Sequence, residues 1–373
     1  MWRGGACLRA RRVILKKSMP ETADSSPSLN VPDALRLRID RDALSHNWRL
    51  LDEMSGAAQA GAAVKADAYG LGAELAVQVL RDAGTQQFFV AHWREIPPLL
   101  AHIPASAIAV LHGPANSAQA EYARAIGARP VINSLHQARL WQAAGGGTCA
   151  LMIDTGMNRL GVEPALVTAP EIAALKPDLV LSHLASADED VPQTAAQLSL
   201  FRAASAEFPN ARRSLANSAG IALGPDYAFD LTRPGLALYG GTPRAELAGL
   251  IRQVAVPQVE VLQIRQLAAG DKVGYNAIFT APHALKAATV AIGYADGFLR
   301  SRGPGGGLLH QGVALPIIGR VSMDMVVVDC SMADDLHEGD WLDVPFDLPR
   351  IAEASTLTQY ELLTTLGRRF TRV

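Results

Sequence analysis

Short apolar segments alternate with amphipathic helical stretches between residues 35 and 249, a rhythm typical of parallel βα units. The helical stretches, such as AELAVQVLRDAG, place apolar residues three and four positions apart. Eight such units in about two hundred residues predict a TIM (β/α)8 barrel. The predicted strands are residues 61–66, 88–92, 107–113, 129–133, 150–156, 179–185, 213–218 and 228–235.

The pattern changes at about residue 250. Segments such as VPQVEVLQIRQL, AATVAIGY and MVVVDC are strand-like with turns between them, and long helical patterns are absent. We therefore predict a TIM barrel over residues 35–249, followed by a C-terminal all-β domain over residues 250–373. The early segment ALRLRID (34–40) is expected to pair with the β domain.

Residues 1–34 form a basic and then polar stretch that we interpret as a disordered or over-annotated leader, with Met19 as an alternative start. Its arginines and lysines superficially resemble a transit peptide, but charges interrupt every apolar run, so there is no signal-peptide core. No segment of the chain approaches the roughly 18 apolar residues that a membrane span requires.

Charge and cysteine content narrow the class of protein further. The chain has 34 Lys and Arg against 36 Asp and Glu, which gives no general attraction to nucleic acid or to anionic membranes. Cys7, Cys149 and Cys330 are too few and too widely spaced for a disulfide framework or a zinc site, so we expect no metal and a reducing compartment. Partners must therefore be inferred from individual sites.

Polar side chains follow the predicted barrel strands at the end where TIM barrels carry their active sites. One interpretation of each is structural: a lone arginine or histidine is more often a satisfied structural residue, and Ser218 and Gly235 alone fit a helix N-cap and a turn. Together at one mouth they favour a functional site, with phosphate expected after the seventh and eighth strands. These strand-end residues are Lys65, Arg159, His183, Asn217, Ser218, Arg233 and Gly235.

Lys65 ends the first predicted strand, in AAVKADAYG. Burial or a neighbouring cation would lower the pKa of its amine toward the range that favours Schiff-base formation. The alternative is a lysine that extends its ammonium group from a strand end into water. This motif by itself leaves the two interpretations equally weighted.

The ordered motifs along residues 35–370 resemble the alanine racemase family of pyridoxal-phosphate (PLP) enzymes. The likeness begins at VKADAYGLG and continues through DTGMNRLG, SHLASADE, LANSAG, RPGLALYGG, VGYNAIF, IGYADGF, GRVSMDMVVVD and TQYELL. A single KADAYG motif would leave other barrel-type PLP enzymes open, whereas nine motifs in order are specific. The resemblance implies an isomerase that interconverts L- and D-alanine, supplies D-alanine for peptidoglycan, and acts in the cytoplasm as a homodimer.

The resemblance also implies a role for individual residues. Lys65 would bind PLP and act as the base for D-alanine, and Tyr275 would be the opposing base for L-alanine, contributed by the second subunit. Arg233 would face the pyridine nitrogen, with His183 behind it. Arg159 and the backbone of Met323 would hold the substrate carboxylate, and the partner's copies of Tyr294 and Asp324 would line the entrance. The phosphate-binding positions would be Tyr69, Ser218, Gly235, Leu236 and Tyr360, with Asn217 beside them.

These implied roles are chemically coherent. Racemisation removes the α-proton from one face of the substrate and returns a proton to the other, so two bases on opposite faces suffice. PLP supplies the electron sink. An arginine at the ring nitrogen cannot accept a hydrogen bond, so the nitrogen stays unprotonated, the carbanion is short-lived and transamination is suppressed.

Met152 departs from the family pattern. Many members carry at this position a carbamylated lysine that braces the motif's arginine, and methionine cannot carry a carbamate. Arg159 must then be held by another group, such as a bound anion or another carboxylate.

Three other functions are compatible with parts of this pattern. A barrel-type PLP decarboxylase generally places an acidic residue at the ring nitrogen, so Arg233, Tyr275 and the Met323–Asp324 pair argue against it. A racemase of broader specificity stays open, because side-chain tolerance depends on the shape of the pocket. A single-barrel PLP-binding protein of cofactor homeostasis would lack the β region after residue 250.

Overall fold

The computed structural model describes residues 32–373. The strands, in chain order, are β1 (Leu35–Ile39), β2 (Gln59–Ala60), β3 (Ala62–Ala63), β4 (Phe88–Val90), β5 (Ile108–Val110), β6 (Arg129–Ile132), β7 (Cys149–Met152), β8 (Pro177–Leu181), β9 (Arg212–Ser214), β10 (Leu231–Thr232), β11 (Ala255–Leu267), β12 (Lys272–Val273), β13 (Phe279–Thr280), β14 (Leu285–Val290), β15 (Gly307–His310), β16 (Val313–Ile318), β17 (Val326–Asp329), β18 (Trp341–Asp343) and β19 (Thr371–Arg372). The α-helices are α1 (Arg41–Met54), α2 (Lys65–Tyr69), α3 (Ala73–Ala83), α4 (Ser117–Ile126), α5 (Leu135–Ala143), α6 (Pro170–Ala173), α7 (Pro192–Ser205), α8 (Ser218–Ala222), α9 (Pro225–Ala228), α10 (Leu348–Ser355) and α11 (Gln359–Thr364).

Strands β3 to β9 form a parallel sheet in sequential order, and β10 pairs in parallel with β2. Only Gly61 separates β2 from β3, so the two act as one barrel strand. The N–H of Gly61 donates to the carbonyl of Thr232 at 2.9 Å, and the N–H of Arg233 donates to the carbonyl of Ala216 at 2.8 Å. These bonds link the eighth strand to the first and to the seventh, and the predicted TIM-barrel fold is confirmed.

The barrel forms because its strands are apolar and its helices are amphipathic. Every residue of β4, β5 and β7 is buried, as expected for strands covered on both faces. Helix α3 buries Ala73, Ala76, Val77 and Leu80, which recur at helical spacing and face the barrel core.

The second region is an antiparallel sheet that also recruits the start of the chain. Its strand order is β14-β17-β16-β15-β18-β11-β1-β19. Strand β1 pairs antiparallel with β11, with Leu37 opposite Pro257, and parallel with β19. The expectation that residues 34–40 pair with the β domain is confirmed, as is the C-terminal β fold.

Two short helices, α10 and α11, interrupt this β region. Helix α11 starts with a capping box in which the Thr358 side chain accepts from the backbone of Glu361 and the Glu361 carboxylate accepts from that of Thr358. It packs against α2, which brings Tyr360 to the mouth of the barrel. A helix of one and a half turns gives too short an apolar repeat to be recognised from sequence alone.

The interpretation of residues 1–34 as a leader concerns a stretch whose residues 1–31 lie outside the described part of the chain. In the part that is described, no helix has both the length and the apolar character needed to cross a membrane.

Candidate active site

A cavity of about 670 Å³ opens at the carboxyl ends of the barrel strands. Ten of the residues proposed from sequence line it together, although they come from widely separated parts of the chain. They are Lys65, Tyr69, Arg159, His183, Asn217, Ser218, Arg233, Gly235, Leu236 and Tyr360.

Lys65 directly follows the first barrel strand and is half-buried at the cavity wall. Burial, and then the nearby charge of Arg159, lower the pKa of its amine below the ordinary value, while the carboxylate of Glu95 opposes this shift. The amine is therefore more available as a base near neutral pH than that of an exposed lysine.

The backbone after Lys65 runs through a left-handed turn. Ala66, Asp67, Ala68 and Tyr69 all have φ between 52° and 57°, and Gly70 ends the turn at φ 91°. Left-handed conformation is costly for residues with a Cβ, so neighbouring groups must hold it.

Tertiary contacts supply that support. The Glu95 carboxylate accepts from the N–H of Ala66 at 2.6 Å, and the Asp67 carboxylate accepts from the N–H of Ala73 at 2.7 Å. The turn aims Tyr69 back under the cavity, where its ring packs 4.9 Å from that of Tyr239 and 6.2 Å from that of Tyr360.

A small polar cradle lies where the seventh and eighth strands end. The Ser218 hydroxyl accepts from the N–H groups of Gly235 and Ala237, at 2.9 and 3.1 Å, and the Asn217 side chain caps α8 by accepting from Gly220. A Cβ at Gly235 would lie 2.3 Å from the Tyr69 hydroxyl oxygen. Only glycine lets backbone and hydroxyl donors converge here, which is what an anion requires.

Arg233 lies deeper in the cavity and is buried. Its guanidinium donates to the Ser214 hydroxyl and to the carbonyls of Ser182 and Leu215. Burial lowers its pKa to about 10, so it keeps its charge at neutral pH. None of its partners within residues 32–373 is a carboxylate, so the positive charge is left to act on the cavity.

The His183 ring lines the cavity beside Arg233. It keeps some exposed surface, yet loss of hydration and then the charge of Arg233 lower its pKa to about 3. His183 is therefore a neutral imidazole at any working pH.

Arg159 reaches the cavity on a loop that Asp154 organises. The Asp154 carboxylate accepts from four successive N–H groups, those of residues 156–159, at 2.9–3.1 Å. Burial opposes ionisation of Asp154, but these hydrogen bonds outweigh it and lower its pKa. In the described chain no carboxylate lies within ion-pair distance of the Arg159 guanidinium, and the apolar side chain of Met152 lines the same cavity.

Several residues at the cavity were not predicted from the sequence. Phe89, Leu111, His112 and Met157 also line the cavity, and Glu95 supports the turn after Lys65. The same strand-end rule that selected Lys65 could have found Leu111 and His112, because they directly follow the third barrel strand. Glu95 gives no such signal, since it follows the second strand by several residues.

The remaining predicted residues do not line this cavity in the described chain. Tyr275 lies in a turn between β12 and β13 and is 67% exposed. Tyr294 and Met323 lie together elsewhere on the β domain: the N–H of Tyr294 donates to the Ser322 carbonyl, and that of Ala295 to Met323, at 3.1 and 3.0 Å. Asp324 follows on the same surface. One chain thus carries both sets of residues at separate places.

Comparisons with known proteins agree with this geometry. Residues 39–243 match the family described as alanine racemase, N-terminal domain, and residues 254–373 match alanine racemase, C-terminal domain. An alanine racemase from Rhodospirillum rubrum is 42% identical over 357 residues, which cover 90% of this chain and 94% of that protein. A biosynthetic alanine racemase from Agrobacterium fabrum is 40% identical over 366 residues, covering 91% and 93%.

A solved structure gives the same result in three dimensions. Alanine racemase from Bartonella henselae, with covalently bound pyridoxal phosphate, superimposes with a TM-score of 0.84 at 34% identity. The match covers 92% of this chain and 99% of that structure.

Proposed function

The chain belongs to the alanine racemase family, and from that premise we propose that it interconverts L- and D-alanine with PLP as cofactor. The observation that carries the proposal is the barrel cavity. It combines a half-buried lysine, an arginine that has no carboxylate partner among residues 32–373, and a polar pocket for an anion beside Gly235. A decarboxylase would place an acidic group where Arg233 lies.

The residues of the cavity fit PLP. The Ser218 hydroxyl, the backbone N–H of Leu236 and the hydroxyls of Tyr69 and Tyr360 would hold the phosphate, with Gly235 leaving room for it and Asn217 fixing the start of α8 beside them. The Gly235 position supports this, because any larger residue would fill the cradle.

Arg233 would face the pyridine nitrogen, with the neutral His183 behind it. An arginine presents only donors, so the nitrogen opposite it stays unprotonated. Lys65 would hold the cofactor covalently at the other end of the cavity.

Lys65 also acts on the substrate. Bound PLP withdraws electrons from the bond between the α-carbon and its proton. Once the amino group of alanine has replaced Lys65 on the cofactor, the freed Lys65 amine, whose pKa is lowered by burial and by Arg159, would take or return that proton on one face of alanine. Arg159 holds the substrate carboxylate from the same side, on the loop fixed by Asp154.

The opposite face of the substrate requires a second base, because one proton is removed from one face and another is returned to the other. We assign this role to Tyr275 of a second copy of the chain, in a homodimer with two shared sites. The exposure of Tyr275 supports the assignment, as does its location among other exposed apolar residues of the β domain. The Met323 backbone would complete the carboxylate site, and Tyr294 and Asp324 would line its entrance.

We further propose that the barrel within residues 35–249 and the β sheet that residues 250–373 form with β1 act as two domains. The first binds PLP, with Tyr360 contributed by the second, and the second supplies groups to the partner. An enzyme of this kind acts in the cytoplasm, where D-alanine is made for peptidoglycan.

Chiral chromatography of L-amino acids incubated with PLP-loaded protein tests the activity. We expect L-alanine to reach an equal mixture with D-alanine, and larger amino acids to convert far more slowly. Release of carbon dioxide without D-alanine would instead identify a decarboxylase, and equal rates for several amino acids would identify a racemase of broad specificity.

Borohydride reduction and peptide mapping should place the phosphopyridoxyl group on Lys65, and a label on Lys272 or Lys286 would contradict the site.

Mixed dimers test the shared site. Lys65→Ala and Tyr275→Phe homodimers each have two defective sites, whereas their heterodimer has one site with both lesions and one with neither. Random pairing makes about half the dimers mixed, so about a quarter of wild-type activity should return. Exchange without recovered activity, verified by native mass spectrometry, would refute the shared site and leave the single-chain chemistry standing.

A further inference from the structure

The C-terminal residues 369–372 contact both of the surfaces that the proposed function uses. Arg369 grips Asp296 with two hydrogen bonds, from Nε to Oδ1 at 2.7 Å and from Nη2 to Oδ2 at 2.8 Å. Its remaining nitrogen, Nη1, donates to Asp324 at 2.8 Å. A guanidinium that uses all three nitrogens on two carboxylates fixes their relative position as a lysine could not.

The two carboxylates differ in their surroundings. The Asp296 side chain is fully buried, and its Oδ2 also accepts from the N–H of Gly293 at 3.1 Å. The Asp324 side chain is half exposed, so water and salt weaken its attraction to Arg369. Loss of Arg369 would therefore leave an uncompensated charge mainly at Asp296.

Asp296 and Asp324 belong to the loops that carry the residues assigned to substrate binding. Asp296 ends the turn that starts at Tyr294, and Asp324 directly follows Met323. The N–H of Ala295 donates to the Met323 carbonyl, so the loops are already paired by backbone. Arg369 clamps the same two loops from the side-chain face.

We propose that Arg369 is a positioning residue for the substrate-carboxylate and entrance groups, and that it acts on the active site of the other subunit. The second part rests on the proposed function, because the loops it clamps serve the partner's cavity only if the sites are shared. Arg369 does not line the cavity of its own chain.

Arg372, three residues later, provides an internal counterpart. Its Nε and Nη2 donate to the Gly70 carbonyl at 3.1 and 2.6 Å, at the end of the left-handed turn that follows Lys65. Arg372 therefore braces the Lys65 turn of its own chain, whereas Arg369 braces loops that serve the partner. In a mixed dimer, substitutions of Arg369 and of Arg372 should therefore affect the intact site from opposite chains.

The first test is steady-state kinetics of PLP-loaded Arg369→Ala and Arg369→Lys homodimers. We expect KM for alanine to rise about tenfold in Arg369→Ala, equivalent to about 1.4 kcal/mol of lost binding, with kcat changed less than about threefold. Arg369→Lys keeps the positive charge but not the planar guanidinium that binds both carboxylates, so its KM should lie between those of the wild type and Arg369→Ala. A purely structural role would lower the melting temperature and the active fraction, and so the apparent kcat, with KM unchanged in both variants; that pattern would overturn the proposal.

The second test places the change on one chain of the Lys65→Ala and Tyr275→Phe mixed dimer, purified with two different tags. Its one intact site takes Lys65 from the Tyr275→Phe chain and the β-domain loops from the Lys65→Ala chain. Arg369→Ala should raise KM only on the Lys65→Ala chain. Arg372→Ala should lower kcat only on the Tyr275→Phe chain.

The outcomes separate this proposal from the one it rests on. If Arg369→Ala raises KM equally from either chain, or only from the chain that supplies Lys65, action on the partner's site is wrong. If the mixed dimer without any arginine change is inactive, the shared site fails, and action across subunits fails with it. The homodimer KM still decides whether Arg369 positions substrate groups.

Discussion

Arg233 is a buried cation whose described partners are a hydroxyl and two backbone carbonyls. Each partner accepts one hydrogen bond and none brings a negative charge. This arrangement fixes the orientation of the guanidinium while leaving its charge to act on the cavity. The side reactions of the enzyme should therefore depend on this residue more than on any other in the wall.

Replacing Arg233 with Glu should raise transamination relative to racemisation. A carboxylate would let the cofactor nitrogen protonate, and the carbanion would then last longer. A proton could then be added at the cofactor carbon rather than at the α-carbon of alanine, which leads to transamination. The measurement is pyruvate formed per alanine racemised, with Arg233→Lys as the control that keeps a cation. An unchanged ratio in Arg233→Glu would show that the charge does not control the outcome.

Because residue 152 is a methionine, we expect activity to be independent of carbon dioxide. Met152 is buried, lines the same cavity as Arg159 and has no amine that could be carbamylated. Degassed and bicarbonate-supplemented assays at the same pH and ionic strength should therefore give equal rates. Activation by bicarbonate would mean that some other lysine carries a carbamate next to Arg159.

Residues at strand ends could be predicted from the sequence, because strand ends in a barrel meet at one mouth whatever lies between them. Lys65, Arg159 and Arg233 illustrate this, since each lines the cavity. His112 obeys the same rule and was overlooked, and Glu95 could not be found because its contact with Ala66 depends on the path of a loop.

At the scale of elements, the left-handed turn over residues 66–69 departs most from the backbone conformation that its own residues prefer. In its sequence, Ala-Asp-Ala-Tyr, only Asp67 is of a type enriched at positive φ, because left-handed residues are mostly glycine, asparagine or aspartate. Gly70, which ends the turn, carries the clearer sequence signal. The conformation is set by tertiary contacts, and it places Tyr69 below the anion cradle.

Gly70→Ala should be far more damaging than Gly56→Ala, although both glycines have positive φ. A Cβ at Gly70 would lie 2.6 Å from the Leu363 carbonyl oxygen, whereas one at Gly56 meets nothing within 4 Å. We expect Gly56→Ala to lower the free energy of unfolding by about 1 kcal/mol and Gly70→Ala by about 3 kcal/mol. Gly70→Ala should also weaken PLP retention by displacing Lys65.

Chemical denaturation and cofactor absorbance on the same samples measure both effects. Equal losses of stability in the two variants would mean that α11 yields to the added methyl group. PLP retention at the wild-type level in Gly70→Ala would mean that the turn does not position Lys65.

The sheet order of the β domain is the part of the fold that sequence patterns could not supply. Alternation identifies β11, β14 and β16 as strands, but it does not say that β1 and β19, from opposite ends of the chain, lie side by side. Strand pairing depends on contacts distant in sequence, whereas sequential βα units of a barrel have a single simple order. The barrel was therefore predictable and the β sheet only in part.

At the scale of the whole molecule, two neighbouring turns of the β domain carry exposed apolar side chains. The turns are neighbours because a Cβ at Gly274 would lie 3.5 Å from the backbone nitrogen of Arg320. We call this set the β-domain patch; its members and exposed fractions are Tyr275 (67%), Ile278 (55%), Met323 (53%) and Met325 (44%). Clustered apolar surface of this kind marks protein interfaces. If this patch faces the partner's cavity, dimerisation and catalysis should be lost together.

Ile278→Asp should therefore abolish activity by separating the subunits, although Ile278 has no chemical role. A charge buried at the interface costs several kcal/mol, and each 1.4 kcal/mol weakens association tenfold. Specific activity should fall on dilution in step with the dimer fraction from sedimentation velocity, and return as protein concentration rises.

Met332→Asp is the matched control, because Met332 is 82% exposed and lies outside the patch. It should remain dimeric and active. A fully active Ile278→Asp monomer would show that one chain builds a complete site, and an inactive dimer would show that the patch affects catalysis without forming the interface.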